Sequence, residues 1–376
     1  MIVTLSLISL LLSLLYLGVL TYVVIGWNTL KRPRIKLASH ITKVTVLIAA
    51  RNEEESIHLT INDILAQDYP KHLTEIIIVD DHSTDRTSQI IAGYADQGVR
   101  LLQLNEDKPL NSYKKKAIAE AIKLSNGELM VATDADCRMG SRWLSSIVGY
   151  YEEEQPLMIS SPVSFFEEKS FFERLQALEF FSLIATGAAF ISNGQASTCN
   201  GANLAYRKDV FYEVGGFNGI DDLASGDDEL LLQKVAAKYP GRIGFLKWYD
   251  AVVFTHAKHN FKSFMQQRRR WASKSVKYKD KRVVAVVVGL WLFNVSVVLN
   301  LLGGFYDMHF AAIGAIQMLM VILIGVALFI PVTGFFKRRD LLWLLPVVCV
   351  LHIIYFVYIG LIGNKGKYMW KGRLVK

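Results

Sequence analysis

Four stretches without a single charged side chain, residues 1–30, 283–306, 308–336 and 341–364, constrain this 376-residue chain more than anything else in it. A helix needs roughly 20 residues to cross about 30 Å of hydrocarbon, and each stretch is long enough. One such block would read equally well as a buried core helix. Four in one chain read as membrane spans, and they account for a hydrophobic fraction of 52%, which is too high for an ordinary soluble enzyme. The first block has no basic segment ahead of it, its apolar run is longer than a signal peptide's, and no small-residue cleavage site follows; it reads as an uncleaved anchor. Lys31, Arg32, Arg34 and Lys36 come directly after it, which puts that end in the cytoplasm by the positive-inside rule.

Charge is placed as unevenly as hydrophobicity. The net charge is +8, and ten lysines or arginines fall between Lys258 and Arg282 against one acid, Asp280. Just ahead of a hydrophobic block, such a run suits anionic headgroups or a phosphorylated ligand better than nucleic acid. Membrane lipids are therefore expected partners and nucleic acid is not. The three cysteines, Cys137, Cys199 and Cys349, are odd in number and lack metal-ligand spacing. No disulfide framework is expected, and a reducing compartment fits.

Between residues 31 and 257 the pattern becomes that of an α/β domain. Val44, Val46, Leu47 and Ile48 form a short apolar run within 43–50, as in a strand covered on both faces. Further strands are expected over 75–79, 99–104 and 129–133, with helices over 56–66, 87–95 and 114–125. This alternation predicts a doubly wound, mostly parallel sheet, in which ligands bind beyond the carboxyl ends of the strands. Arg51-Asn52-Glu53, Asp80-Asp81 and Asp134-Ala135-Asp136 all fall at those ends. Residues 171–189 carry a wide apolar surface with few charges, read either as core or as a helix in the membrane interface.

Two carboxylates at i and i+2 on a tight turn, Asp134 and Asp136, can address one hard divalent cation, Mg²⁺ or Mn²⁺, and the phosphates it carries. A solvated Asp-rich turn is the plainer alternative. Asp80 can bond loop amides, and Ser83 or Asp85 can cap the following helix. Lys114-Lys115-Lys116 opens a helix; as a triplet it reads as a solvated face, with Lys114 alone near a ligand. Asp227 can be the N-cap of a helix starting at Glu229. Trp271, at the end of Gln267-Arg268-Arg269-Arg270-Trp271, can be an interfacial anchor. Gly201, Gly215 and Gly216 can be turn punctuation, and His256 has no partner at ligand spacing.

The order Asp80-Asp81, Asp134-Ala135-Asp136, Asp227-Asp228, Gln267–Trp271 resembles the membrane-embedded family 2 glycosyltransferases, relatives of cellulose, chitin and hyaluronan synthases and of ceramide glucosyltransferase. The resemblance runs from about Val44 to Trp271 and implies a GT-A fold. It implies a nucleotide-sugar donor, UDP by default, with Ala50, Arg51, Glu53, Asp81, Lys114, Asp134 and Gln267 on the donor side. Asp136 is then the direct metal ligand, with Asp134 nearer the sugar. Asp228 is the general base beside Asp227, where relatives usually have Glu; Arg270 neutralises the departing diphosphate. Trp271 and Asn200 line the acceptor. Tyr113 stands where relatives often have Gly. A single base and no evident nucleophile imply inversion.

The segments expected are an anchor (1–30), a cytoplasmic catalytic domain (31–257), a basic interfacial segment (258–282), transmembrane helices (283–364) and a basic tail (365–376). One span before the domain and three after are few for a polymer channel, which favours a lipid or lipid-linked acceptor over a processive polysaccharide synthase. A non-catalytic scaffold would have lost acidic stations, and a nucleotidyltransferase would need neither Asp227-Asp228 nor Gln267–Trp271. Lys337, Arg338 and Arg339 mark a cytoplasmic loop, so a full crossing of 341–364 would leave the basic tail outside. A re-entrant hairpin near Pro346 would instead return Trp370-Lys371-Gly372-Arg373, a tail like that of some lipid glycosyltransferases, to the active-site side.

Overall fold

The computed structural model describes residues 2–31, 33–36, 38–105, 110, 112–278, 280–362, 368–370 and 373–375. Arg32, Lys279, Lys371 and Gly372, invoked above, lie outside them. In chain order the main elements are α1 (Ile2–Thr29), β1 (Val44–Ala50), α2 (Ile57–Leu65), β2 (Thr74–Asp80), α3 (Thr87–Ala92), β3 (Val99–Gln103), α4 (Tyr113–Leu124), β4 (Leu129–Asp134), β5 (Arg138–Met139), α5 (Trp143–Glu154), β6 (Met158–Ser160) and β7 (Val163–Phe165). Then come α6 (Phe171–Ser192), β8 (Leu204–Arg207), α7 (Lys208–Glu213), α8 (Glu229–Lys238), β9 (Ile243–Phe245), β10 (Val253–Thr255), α9 (Phe261–Ala272), α10 (Lys281–Gly303), α11 (Met308–Phe335), α12 (Leu345–Ile362), β11 (Tyr368–Trp370) and β12 (Arg373–Val375).

The chain divides into two compact units, Leu30–Glu167 with Phe190–Ala257 and Lys367–Lys376, and Met1–Thr29 with Glu168–Ala189 and Lys258–Gly366. The α/β unit is built on a seven-stranded sheet of order β3-β2-β1-β4-β8-β6-β9. It is parallel from β3 to β4, and β8 runs antiparallel to both its neighbours. The expected mostly parallel sheet is present because β1 and β2 are buried almost throughout, as strands covered on both faces must be. Register places the acidic stations: Ala49 pairs with Asp134 and Ala50 with Asp80. Successive side chains on a strand point to opposite faces, so the alternation carries Asp81, not Asp80, to the same face as Asp134. A second sheet, β5-β10-β7, stands beside the turn after β4.

The helical unit holds the membrane segments. Five described helices, α1, α6, α10, α11 and the stretch from Arg339 through α12, are long and apolar enough to cross a bilayer, and the chain is a membrane protein. Of these, α6 is the most buried, and its face is not wholly apolar. Glu179 on α6 is reached by Arg268 of α9 and by the Tyr355 hydroxyl of α12. Asn300 of α10 donates to Ser9 of α1 (3.0 Å) and Gln317 of α11 (2.9 Å), polar glue of the kind that joins helices in lipid.

Within the span 31–257, α6 groups with the helical unit, and the tail groups with the α/β unit as the β11–β12 ribbon. One sequence reading needs correcting: Pro346 is not the apex of a hairpin. It lies in the first turn of α12, where no helical partner for its missing N–H is needed, and the helix continues to Ile362.

Candidate active site

The metal-type station is held from behind by α2. The Thr60 hydroxyl lies 2.9 Å from the Ala135 carbonyl and 2.8 Å from that of Cys137. Asp63 accepts two hydrogen bonds from Arg138 and one from the Met139 N–H, fixing the exit of the turn. Ligand atoms of Asp134, Asp136 and Cys137 lie within 4.8 Å of one another. Burial, reinforced by Asp136 and Asp134, keeps the Cys137 thiol protonated. The two carboxylates are a hard-oxygen donor pair of the kind that Mg²⁺ or Mn²⁺ takes.

The station at the end of β2 is a second cluster. The Asp81 N–H continues the ladder to Ala50 (2.8 Å), and Arg51 donates to the Asp81 and His82 carbonyls at 2.7 Å each. The Asp81 carboxylate accepts from Arg373 in β12, whose guanidinium lies over the Tyr113 ring. Asp80 accepts from Ser83 N–H at 3.4 Å, the loop-bonding role open to it, and Asp85 caps Thr87. Glu53 accepts from Ser56.

The acidic pair joins the metal station through one lysine. Lys114 donates to Asp134 at 2.7 Å and lies 3.0 Å from Asp227. Burial pulls this ammonium down, and Asp134 and Asp227 more than offset it, so it stays charged. The N-cap of α8 is Asp228, not Asp227: its carboxylate accepts from Glu229 N–H (2.6 Å) and from Gly201 N–H (3.0 Å). Asp227 is drawn off the cap by Lys114. A Cβ at Gly201 would meet the Asp228 Cβ at 3.2 Å and Asp227 Oδ2 at 3.3 Å, so a side chain there would oblige the acidic pair to give by a few tenths of an ångström. Asn200 folds its amide oxygen onto Ala202 N–H at 2.9 Å and so starts the turn that brings Gly201 there.

Gln267, Arg270 and Trp271 lie on α9, in the helical unit. Between them Arg268 is buried against Glu179, with its guanidinium 4.3 Å from the centre of the Trp271 ring. One face of that indole is thus already covered by its own helix.

Two residues escaped the sequence reading. Lys115 is 1% exposed, not part of a solvated triplet; its spacing to Ile118 and Ile122 (i, i+3, i+7) was the available signal of a buried face. Tyr113, where relatives often have Gly, opens α4 without strain and receives Arg373. The first turn of α4 is therefore the hub: Tyr113, Lys114 and Lys115 each serve a different part of the site.

Together the sheet, the carboxylate turn and the acidic pair define a GT-A type sugar-transfer domain. Residues 45–215 match Glycosyl transferase family 2, and the domain they form is that of a glycosyltransferase enzyme. It is 27% identical over 313 residues to the probable glycosyltransferase YdaM of Bacillus subtilis, covering 75% of this chain and 71% of that protein. It is 31% identical over 112 residues to a beta-monoglucosyldiacylglycerol synthase of Nostoc, but this covers 30% of the chain and only 24% of the relative. A solved mannosyltransferase from Pyrobaculum calidifontis, in complex with GDP-Man and Mn²⁺, shares the fold with a TM-score of 0.56 at 16% identity over 94% of this chain and 97% of that one.

Proposed function

We propose that the protein is an inverting glycosyltransferase that moves a sugar from a UDP-sugar to a lipid or lipid-linked acceptor at the cytoplasmic membrane face. The observation that carries the reading is Lys114 joining Asp134 and Asp227, which draws the metal-type carboxylates and the acidic pair into one site. On this reading Asp136, with Asp134, holds Mg²⁺ or Mn²⁺, which neutralises charge on the diphosphate. Ala50, Arg51, Glu53 and Asp81 form the base and ribose side, with Lys114 near the donor. An acceptor hydroxyl attacks the anomeric carbon and gives its proton to the Asp228 carboxylate. The bond from that carbon to the diphosphate breaks, and UDP leaves with the electron pair. Asp227 sets the local charge with Lys114, Gln267 and Arg270 answer the diphosphate, and Asn200 and Trp271 face the acceptor.

Two observations support an amphiphilic acceptor. The Nostoc relative is by name a diacylglycerol-glucoside synthase. The helical unit also contains a groove of about 570 Å³ lined by apolar groups including Phe172, Phe264, Met265 and Leu351. The test is nucleotide release and product analysis in lipid nanodiscs, with UDP- and GDP-sugars, Mn²⁺ or Mg²⁺ and host lipid extract, wild type beside Asp228→Asn. Metal-dependent release that Asp228→Asn abolishes is expected. No release with any donor, or a product of retained configuration, would overturn it.

A further inference from the structure

The acidic pair hangs on a loop, residues 215–228, that two lysines hold, Lys115 from inside and the half-buried Lys234 from nearer the surface. Lys115 of α4 donates to the carbonyls of Ile220 (2.6 Å), Leu223 (2.7 Å) and Ser225 (2.7 Å). Lys234 of α8 donates to those of Gly216 (2.6 Å) and Asn218 (2.9 Å). Buried backbone carbonyls must find donors, and an ammonium, with three donors around one centre, suits three converging carbonyls. Ile220, Leu223, Ala224 and Ser225 are all buried, so the part of the loop that leads into the acidic pair packs as core, while Asn218, Gly219, Asp221 and Asp222 stay exposed. It then turns at Gly226, φ +90°, a conformation that suits glycine, and delivers Asp227 to Lys114 and Asp228 to Gly201.

We propose that Lys115 is a positioning residue for the acidic pair: by gathering the Ile220, Leu223 and Ser225 carbonyls on its ammonium, it sets where Asp227 and Asp228 stand. The inference rests on the acidic pair carrying the proton transfer proposed above. Burial pulls the Lys115 ammonium down to about 8, opposed by Asp227, Asp228, Asp222 and Asp221, which are the charged groups facing it. Above that pH the neutral amine keeps only two N–H donors for three carbonyls.

The test combines transfer kinetics with amide hydrogen exchange on the full-length protein in nanodiscs. Lys115→Met, which keeps the stem and loses the donors, is expected to speed exchange over residues 219–228 about 10-fold and leave other segments unchanged. Its kcat is expected to fall about 10²-fold, the scale of a displaced catalytic group, while the donor KM moves less than about 3-fold. Lys115→Arg, whose cation does not titrate in this range, is expected to recover part of kcat. It should also remove the fall in wild-type kcat above about pH 8. If Lys115→Met does not fold, wild-type loop exchange, corrected for intrinsic rate, is compared one unit below and one unit above that pH; it must rise. Unchanged loop exchange, or a loosened loop with unchanged kcat, overturns the proposal. A wild type that transfers sugar from no nucleotide donor defeats the functional reading instead, and loop exchange still decides whether Lys115 holds the loop.

Discussion

Arg373 donates from Nη1 to both carboxylate oxygens of Asp81 at 2.8 Å, and its guanidinium carbon lies 3.5 Å from the centre of the Tyr113 ring. The flat cation presents a stacking face to Tyr113 and an N–H edge to Asp81, the two features a nucleobase would present there. Charge-assisted hydrogen bonds contribute about 1.5–3 kcal/mol, and about 1.4 kcal/mol is tenfold in affinity. Arg373→Ala is therefore expected to bind UDP about 10-fold more tightly by calorimetry. Weaker binding would instead place the guanidinium among the groups that hold the nucleotide.

The carboxylate turn should separate its two ligand types. Asp136→Ala is expected to abolish Mn²⁺ binding, followed by electron paramagnetic resonance, and to lower nucleotide release by about 10³-fold, as losing one fixed electrostatic contact does elsewhere. Cys137→Ser should leave Mn²⁺ affinity within about 3-fold, because a hard cation takes oxygen ligands in preference to sulfur.

Asp228 caps α8 and, on the proposed reading, takes the acceptor proton, and substitution can pull the two apart. Asn caps helices as well as Asp does but has one acceptor oxygen for two N–H donors, so Asp228→Asn should keep the Glu229 cap, give up the Gly201 bond and melt slightly below wild type while losing transfer. Asp228→Ala loses the acceptor of Glu229 N–H and Gly201 N–H as well, and should be less stable by about 1 kcal/mol. Equal melting of the two variants would show that the cap contributes nothing.

In the helical unit, Glu179 and Arg268 have side chains only 6% and 5% exposed. Removing one partner of a buried pair strands the other, at a cost of about 3–5 kcal/mol. Glu179→Ala and Arg268→Ala should each lower the melting temperature in detergent markedly, and Glu179→Leu with Arg268→Met should recover most of it. Near-additive losses in the double variant would show that the two act independently.

What was legible followed from local rules. The apolar runs of β1, β2 and β4 fixed which segments are strands, and strand ends fixed where Asp81, Asp134 and Asp136 stand relative to one another. Lys115 was not legible as a core residue, because its partners are backbone carbonyls more than 100 residues away and carbonyls have no sequence signature. The polar face of α6 was hidden similarly, since Glu179 is matched by a residue 89 positions on. Arg373 lies 292 positions from Asp81. The N-cap was misplaced by one residue, because only the folded site shows that Lys114 competes for Asp227.

A lysine shared between Asp134 and Asp227 makes the two ends of the site report on each other. Charge removed at the metal end frees Lys114 to lean on the acidic pair, and the reverse, so losses at the two ends should not add. A double-mutant cycle on Asp134 and Asp227 measures that dialogue, and it implies that drift at one end of the site would have to be answered at the other.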